Sequence, residues 1–265
     1  MKPFEELQEY AMNLGTPQDV LEHLTPIQYA AKYGNLAFLE EHLATQDETE
    51  KEALLALKNK GGGLTALHLA AFYGQVEVVN LLLNLGACVD SLSQLQRLPI
   101  QSAFSHLNSK TTIMKLFHLL NKEARLLLHA DFNGDTVAHL SALLDIPEIL
   151  NTLQRSHEAL FLKKNNQSRT PLLVAICHQS KTSLPLLLNN KAITIKDCKE
   201  RNALHYATLF GTTDCISIVL PHFDINAPDG EGSTAIEFAM TLHDATKIKL
   251  LQEAGAHIRV QRGYT

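Results

Sequence analysis

Residues 65–87 read TALHLAAFYGQVEVVNLLLNLGA and contain two apolar segments that meet at Gly74. Within each segment the apolar residues recur at intervals of three and four, which is typical of amphipathic helices. Gly74 favours the end of the first helix, because glycine adopts the left-handed conformation of a helix C-cap without strain. The stretch therefore predicts a pair of helices joined by a tight turn.

The same pattern recurs along the chain. Stretches similar to TALHLAA begin at residues 25, 65, 98, 136, 170, 202 and 234, and consecutive starts are 32 to 40 residues apart. Gly34, Gly74 and Gly211 follow the first helix in three of these copies, where we expect left-handed C-caps. The second residue after each start is always apolar and the fifth is always small. A small residue at a fixed place on a helix indicates that another helix passes close to it. The sequence thus predicts an array of units that bury their cores against their neighbours.

These units resemble the ankyrin-repeat family. The resemblance rests on the T-P-L-H-x-A-like starts, on AAKYGN and AAFYGQ after them, and on the second-helix endings LLLNLGA and LLQEAGA. The stretch DINAPDGEGSTAIEFA at 224–239 is especially similar to the family pattern. The resemblance implies an all-α solenoid of about seven helix-turn-helix repeats with short β-hairpin or loop connections.

The repeats divide the chain into three predicted parts. We expect an N-terminal helical cap at 1–24, the ankyrin-repeat array at 25–256 and a C-terminal tail at 257–265. The first interval carries extra residues, which we assign to an inserted helix and loop at 44–63. Asp47 is a suitable N-cap for the added helix, because its carboxylate can accept a hydrogen bond from the first turn.

Composition and charge exclude several classes of protein. The formal net charge is −5 and no Lys/Arg cluster is present, which disfavours nucleic-acid binding. No apolar stretch is long enough for membrane insertion. Four cysteines are scattered without a CxxC pair, as is typical of a reducing compartment. We therefore expect a cytoplasmic monomer.

The chemistry-bearing residues do not indicate a catalytic or metal site. The family resemblance implies that His68, His139 and His205 form local hydrogen bonds and brace adjacent units. Cys177 and His178 are adjacent in sequence, but no orienting Asp or Asn accompanies them. The Asp- and Gly-containing loops at 131 and 224 do not fit a calcium-binding pattern. We expect no cofactor, no metal and no enzymatic activity.

In proteins similar to this one, a partner binds in a concave groove lined by hairpin tips and by residues late in each first helix. The seventh and eighth residues after each repeat start fall late in the first helix. These residues and the tips contain many apolar and aromatic side chains, which are common at protein-binding hot spots. The protein-binding residues predicted from this surface are Tyr33, Leu64, Phe72, Tyr73, His106, Phe132, Leu144, His178, Arg201 and Phe210.

The sequence favours a non-enzymatic protein–protein interaction module, or adaptor, with an unidentified protein partner in the groove. Its degenerate repeats resemble ankyrin effectors that intracellular bacteria deliver into host cells, which would place the chain in a host cytoplasm. One alternative is that the array is the substrate-recruiting portion of a larger enzyme. Another is self-association through the thinly capped C-terminal end.

Overall fold

The computed structural model describes residues 24–189 and 191–258, and within these ranges it contains helices and loops but no β-strand. The all-α class predicted from the sequence is confirmed. Nearly all of the expected cap at 1–24 and tail at 257–265 lies outside the described residues. The chain divides into two compact units, residues 1–140 and 141–265.

The first unit contains three repeats and most of the first helix of a fourth. The extra residues of the first repeat form helix α3, whose N-cap Asp47 accepts a hydrogen bond from the Glu50 amide at 2.8 Å. The helices in order are α1 (Pro26–Tyr33), α2 (Leu36–Ala44), α3 (Glu48–Ala56), α4 (Ala66–Phe72), α5 (Val76–Asn84), α6 (Pro99–Ser102), α7 (Lys110–Leu120), α8 (Ala124–Leu127) and α9 (Val137–Leu143).

The second unit begins within α9, and single turns of 3₁₀ helix follow several of its second helices. Its further helices are α10 (Pro147–Ser156), α11 (Pro171–Cys177), α12 (Leu184–Leu188), α13 (Ala203–Phe210), α14 (Thr213–Val219), α15 (Ala235–Thr241) and α16 (Ala245–Glu253). The 3₁₀ turns are Glu158–Leu162, Lys191–Thr194 and Leu220–His222.

The two sequence patterns that define the repeats are both patterns of burial. The apolar residues two positions after each start are buried: Ile27, Leu67, Ile100, Ala138, Leu172, Leu204 and Ile236. The small residues five positions after each start are buried as well: Ala30, Ala70, Ala103, Ser141, Ala175, Ala207 and Ala239. Each first helix therefore presents a narrow face to closely packed neighbours, which explains why larger residues are absent there.

A buried polar side chain braces each of several first helices against the following loop. His68 accepts a hydrogen bond at Nδ1 from the Thr65 amide (3.2 Å), and its Nε2 lies 3.0 Å from the Arg97 carbonyl oxygen. Because Nδ1 accepts, the ring proton is on Nε2, which donates to that carbonyl. The predicted bracing role is confirmed. The same pair of contacts, to the N-cap amide and to a carbonyl of the next loop, is made by Gln28, Gln101 and His205.

The connections between repeats are loops closed by an acidic or amide side chain. Asp131 Oδ1 accepts hydrogen bonds from the amides of Asn133 (2.9 Å) and Asp135 (3.0 Å), and the Asp131 amide donates to the Asp135 carbonyl at 3.0 Å. This arrangement explains the Asp and Asn residues between repeats, because their side chains can bond to the backbone two and four residues ahead. The same arrangement occurs at Asn165, Asp197 and Asp229.

The glycines that follow the first helices serve two different purposes. Gly34 and Gly74 have φ angles of 75° and 73°, and so form the predicted left-handed C-caps. Gly211 was predicted to do the same, and that prediction is wrong, because its φ is −84°. Glycine is needed there for space, since a Cβ atom would lie 2.7 Å from the Ala207 carbonyl oxygen and 2.9 Å from Cys215 Cβ.

Candidate functional site

In each repeat, the eighth residue after the start lies on the accessible side of the first helix. The seventh residue is buried in three repeats, where it is Phe72, Ser105 or Cys177. Successive residues of an α-helix are rotated by about 100°, so a shift of one position turns a side chain from the surface into the core. The eighth residues are exposed or half-buried in every repeat: Tyr33, Tyr73, His106, Leu144, His178, Phe210 and Leu242.

Phe72 departs from the predicted binding surface. It is the last residue of α4, only 6% of its surface is exposed, and its ring packs edge-on against Tyr73 with 5.0 Å between ring centres. Replacing this side chain by Ala would leave a cavity and cost about 3–5 kcal/mol of stability. Phe72 is therefore a core residue, and its substitution would report on folding rather than on binding.

The first unit carries an accessible group of aromatic residues, which we call the tyrosine patch. Tyr29 and Tyr33 lie one helical turn apart on α1, with ring centres 4.5 Å apart and planes inclined by 45°. The Lys32 ammonium lies 4.9 Å from the centre of the Tyr33 ring and 5.2 Å from that of the Tyr73 ring. The patch thus comprises Tyr29, Lys32, Tyr33 and Tyr73, and its cation contacts aromatic rings of two successive repeats.

The tyrosine patch is accessible and fixed in place. Tyr29 and Tyr33 are each 57% exposed, and Tyr73 is half-buried. Gln75 Nε2 donates a hydrogen bond to the Lys32 carbonyl at 3.1 Å, which ties the end of α1 to the second repeat. Aromatic rings with hydroxyl groups can bury apolar area against a partner while they donate or accept hydrogen bonds. The arrangement suits the binding of a protein surface.

The second unit brings two of the predicted residues, Arg201 and Phe210, together with three others, and we call this group the arginine cluster: Arg169, Asp197, Arg201, Tyr206 and Phe210. The Arg201 side chain donates to Asp197 Oδ2 from Nε at 2.8 Å and from Nη2 at 2.6 Å. Its guanidinium lies 5.2 Å from the centre of the Tyr206 ring. The Arg169 guanidinium lies 5.8 Å from the Tyr206 ring and 5.5 Å from the Phe210 ring.

Burial and charge shift the protonation equilibria around the arginine cluster. Burial and the nearby Asp197 charge raise the pKa of Tyr206 to about 12, so its hydroxyl stays protonated and donates to Asp197 Oδ2 at 3.0 Å. Burial alone would raise the pKa of Asp197, but hydrogen bonds from Arg201, Tyr206 and Lys199 outweigh it and lower that pKa. Burial and the Arg169 charge lower the pKa of His178 to about 4. Arg201, Asp197 and Tyr206 thus form a hydrogen-bonded network with a neutral histidine beside it.

The two predicted loop-tip residues of the first unit have different environments. Phe132 is the most exposed large apolar side chain of the described residues, at 63%. A recess of about 100 Å³ lies beside it, lined by Leu95, Arg97, Asp131, Phe132 and Asn133. Leu64 is half-buried, and its backbone is held by the side chains of Asn59 (2.7 Å) and Gln28 (3.2 Å). Phe132 is therefore accessible to a partner, whereas Leu64 is largely enclosed.

The structure distributes the other predicted residues over separate places. His106 is exposed and Leu144 is half-buried, and neither belongs to the tyrosine patch or to the arginine cluster. Tyr33 and Tyr73 come together in the first unit, and Arg201 and Phe210 come together in the second. The predicted set is thus several local surfaces.

Several contributors to these surfaces, including Tyr29, Tyr206 and Leu95, were not among the predicted residues. Tyr29 is four residues before Tyr33, and Tyr206 is four residues before Phe210. Residues at this spacing are neighbours on a helix, so the two aromatic pairs could have been found in the sequence. Leu95 next to Phe132 could not, because its contact depends on how successive loops stack.

The described residues offer no alternative site based on a metal or a membrane span. Among residues 24–189 and 191–258, no group of three or more His, Cys, Asp or Glu side chains is arranged to hold a metal ion. Within the same ranges no helix has the length and apolar character needed to cross a bilayer.

Comparison with known proteins agrees with the helical pairs and loops. Residues 4–93 and 181–262 match the family model described as Ankyrin repeats (3 copies). The solved ankyrin repeat domain of human ASB11 superimposes with a TM-score of 0.68 at 18% identity, covering 89% of this chain and all of that one. The ankyrin repeat domain of Bcl-3 gives a TM-score of 0.69 at 22% identity, covering 87% of this chain and 99% of that one.

Relatives of known sequence are much longer than this chain. It is 28% identical over 153 residues to the nuclear factor NF-kappa-B p105 subunit of Gallus gallus, covering 54% of this chain and 16% of that protein. It is 30% identical over 191 residues to the transient receptor potential cation channel subfamily A member 1 of Drosophila melanogaster, covering 70% of this chain and 16% of that protein.

Proposed function

The chain belongs to the ankyrin-repeat family, and on this premise we propose that it is a non-enzymatic interaction module that binds a partner protein through the tyrosine patch. Domains of this family generally mediate protein–protein interaction. The observation that carries the proposal is the exposure of Tyr29 and Tyr33, which are both 57% exposed on a helix whose other face is buried. This face of the first unit is the one that the family resemblance equates with the concave groove.

The physical argument rests on the cost of ordering a binding surface. A tyrosine has few rotatable bonds, so it offers a large contact area at a small loss of conformational entropy. Here the Tyr29 and Tyr33 rings are already ordered by their tilted contact with each other, and Lys32 contacts the Tyr33 and Tyr73 rings. A preorganised aromatic surface therefore loses less free energy on binding than a flexible one, which favours it as a hot spot.

A second candidate function is recruitment of a substrate for a larger enzyme. The observation that bears on it is that this chain covers 16% of the p105 relative and 16% of the channel relative, so similar arrays occur within much longer proteins. The tyrosine patch would then hold the substrate while another part of the protein acted on it. The length of the parent protein discriminates between the two functions.

Other features of this proposal come from the sequence alone. Delivery into a host cell by an intracellular bacterium, a reducing cytoplasmic location and a monomeric state stay predictions. Each can be checked separately, by cell fractionation for the first two and by light scattering in solution for the third.

The experiment that tests the proposal is affinity capture followed by mass spectrometry, with three baits. The wild type is compared with Tyr29→Ala/Tyr33→Ala, and with Leu162→Ala as a control for the loss of an exposed apolar side chain elsewhere. Leu162 is 40% exposed in the second unit. We expect one or more proteins that wild type and Leu162→Ala retain and the double variant loses. If all three baits retain the same proteins, the tyrosine patch is not the binding surface.

A further inference from the structure

Two successive loops of the first unit, residues 93–97 and 131–135, form a rigid pair. The Ser93 amide donates to the Arg97 carbonyl at 3.0 Å, which closes the first loop. The Phe132 amide donates to the Leu95 carbonyl at 2.9 Å and joins the second loop to the first. His129 Nε2 also lies 2.6 Å from the Gln96 carbonyl oxygen. The side chains at the loop tips are therefore held on an ordered backbone.

Each of these two loop tips carries a large apolar side chain, unlike the loop tips of the second unit. Phe132 is 63% exposed and Leu95 is 48% exposed, and Leu92 beside them is exposed as well. The corresponding tip positions of the second unit carry Asn166, Gln167, Cys198, Lys199, Gly230 and Glu231. Exposed aromatic and aliphatic side chains on an ordered backbone lose apolar hydration only when a partner covers them, so they indicate an interaction surface.

The recess beside Phe132 has a buried ion pair at its base. Arg97 Nε donates to Asp131 Oδ2 at 3.0 Å, and both residues are more than nine-tenths buried. Asp131 also accepts hydrogen bonds from two backbone amides, those of Asn133 and Asp135. The Asp131 carboxylate thus accepts its hydrogen bonds from Arg97 and from neighbouring backbone amides. The Arg97 guanidinium donates to Asp131 through Nε–H, and it also carries two terminal NH₂ groups. The recess therefore favours a hydrogen-bond acceptor.

The exposed charges of the neighbouring loop are positive. Lys58 and Lys60 are both exposed, and the Lys58 ammonium donates to the Leu92 carbonyl at 2.7 Å. Gln94 Nε2 contacts the Lys60 carbonyl at 3.4 Å, which places Lys60 next to the loop pair. Asp90, three residues before Ser93, is bound to Arg125 at 2.9 Å. A positive edge on a chain of net charge −5 favours a partner segment of negative charge.

We define the loop-tip site as Lys58, Lys60, Leu92, Leu95, Arg97 and Phe132. We propose that this site binds an extended segment of a partner protein in which an apolar side chain is flanked by Asp or Glu. The apolar side chain packs on Phe132 and Leu95, and a carboxylate approaches Arg97 or the lysines. The inference rests on the proposed role as an interaction module, but not on the tyrosine patch.

A peptide selection tests the loop-tip site directly. The probe is a phage-displayed library of random dodecapeptides that is selected on the whole wild-type chain, and the enriched peptides are then measured on Phe132→Asp. We expect the enriched sequences to carry Asp or Glu beside Leu, Ile or Phe. Their synthetic peptides should bind Phe132→Asp at least about tenfold more weakly than wild type, as for the loss of a central aromatic contact. Higher salt should also weaken binding, because the charges involved are exposed.

Two variants control for folding and for charge. Leu162→Asp introduces the same charge at an exposed apolar position of the second unit, and it should bind the peptides as wild type does. Lys60→Glu inverts one edge charge without touching the apolar contacts, so it should weaken binding several-fold. Thermal unfolding should be the same for all variants, since the altered side chains are exposed.

The inference fails if no sequence is enriched, if the enriched sequences are basic or uncharged, or if Phe132→Asp binds them as tightly as wild type. Its failure is distinguishable from that of the proposed function. Peptides lost by Tyr29→Ala/Tyr33→Ala and retained by Phe132→Asp would support the tyrosine patch and overturn the loop-tip site. The reverse pattern would support the loop-tip site alone.

Discussion

The first and the sixth repeats carry a pair of aromatic residues at the same positions but in opposite environments. Tyr29 and Tyr33 follow the N-cap Thr25 by four and eight residues, and Tyr206 and Phe210 follow the N-cap Asn202 by the same intervals. The ring centres are 4.5 Å apart in the first pair and 5.4 Å apart in the second. Yet Tyr29 is 57% exposed and Tyr206 is 2% exposed.

The difference arises from the loops around the helix, not from the helix itself. Two arginines at the ends of successive loops, Arg169 and Arg201, lie over the Tyr206 ring, and Asp197 accepts a hydrogen bond from the Tyr206 hydroxyl. In the first repeat, Leu24 occupies the position that corresponds to Arg201. Helical spacing therefore creates an aromatic pair, and the adjoining loops determine whether that pair is core or surface.

The largest expected difference in the free energy of unfolding is between Tyr206→Ala and Tyr29→Ala, which truncate tyrosines at corresponding positions of the two repeats. Tyr206→Ala should lower the free energy of unfolding by about 3–5 kcal/mol, because it leaves a cavity and removes a hydroxyl that hydrogen-bonds to Asp197. Tyr29→Ala should change it by less than about 0.5 kcal/mol, since the ring is mostly exposed. Urea unfolding of both variants measures the contrast. Equal destabilisation would mean that Tyr29 is also part of a core.

A second expected effect concerns pH and the side chains that brace the repeats. The first repeat uses Gln28, which does not titrate, whereas the second uses His68, whose pKa is lowered to about 4 by burial, with a further contribution from the Lys58 charge. Protonation would place a hydrogen on Nδ1, where the Thr65 amide already donates. The folded state therefore excludes a proton that the unfolded chain binds below about pH 6.5.

Neutral His68 therefore contributes fully to the free energy of unfolding above about pH 6.5, and this contribution is lost as the pH falls towards 4. His68→Gln should keep both hydrogen bonds, as Gln28 does, and remove this part of the acid sensitivity. Between pH 7.5 and pH 5, the free energy of unfolding of the variant should fall by about 2 kcal/mol less than that of wild type. Urea unfolding at the two pH values measures this, and parallel losses in both proteins would contradict the assigned protonation state.

The third comparison removes the cations that contact the two aromatic pairs, and the smallest effect is expected for Lys32. Arg201→Gln should cost about 1.5–3 kcal/mol, because Asp197 is buried and loses its charged donor. Lys32→Gln should cost no more than about 0.5–1 kcal/mol, since its cation–π contacts are at an accessible site. Thermal or urea unfolding gives both values. A larger loss for Lys32→Gln would show that its contacts are desolvated.

The candidate site could be predicted from the sequence only in part. The eighth residue of each repeat was a sound guide, because its exposure follows from the geometry of a single helix. Including the seventh residue placed the buried Phe72 on the surface, since the sequence does not indicate which of two adjacent residues faces the next repeat. The exposure of Leu95 and Phe132, and the recess between them, depend on the stacking of two loops and leave no periodic signal.

The all-α fold, the approximate number of repeats and the residues at their centres could all be predicted from the amino-acid sequence. These properties depend on short-range rules that act within one repeat, namely apolar periodicity, N-capping and the small residue at the helix contact. The packing of successive repeats determines which aromatic side chains are accessible and where Arg97 finds its carboxylate partner, Asp131. Those outcomes depend on residues about 30 positions away, which the chain brings together only when successive repeats pack.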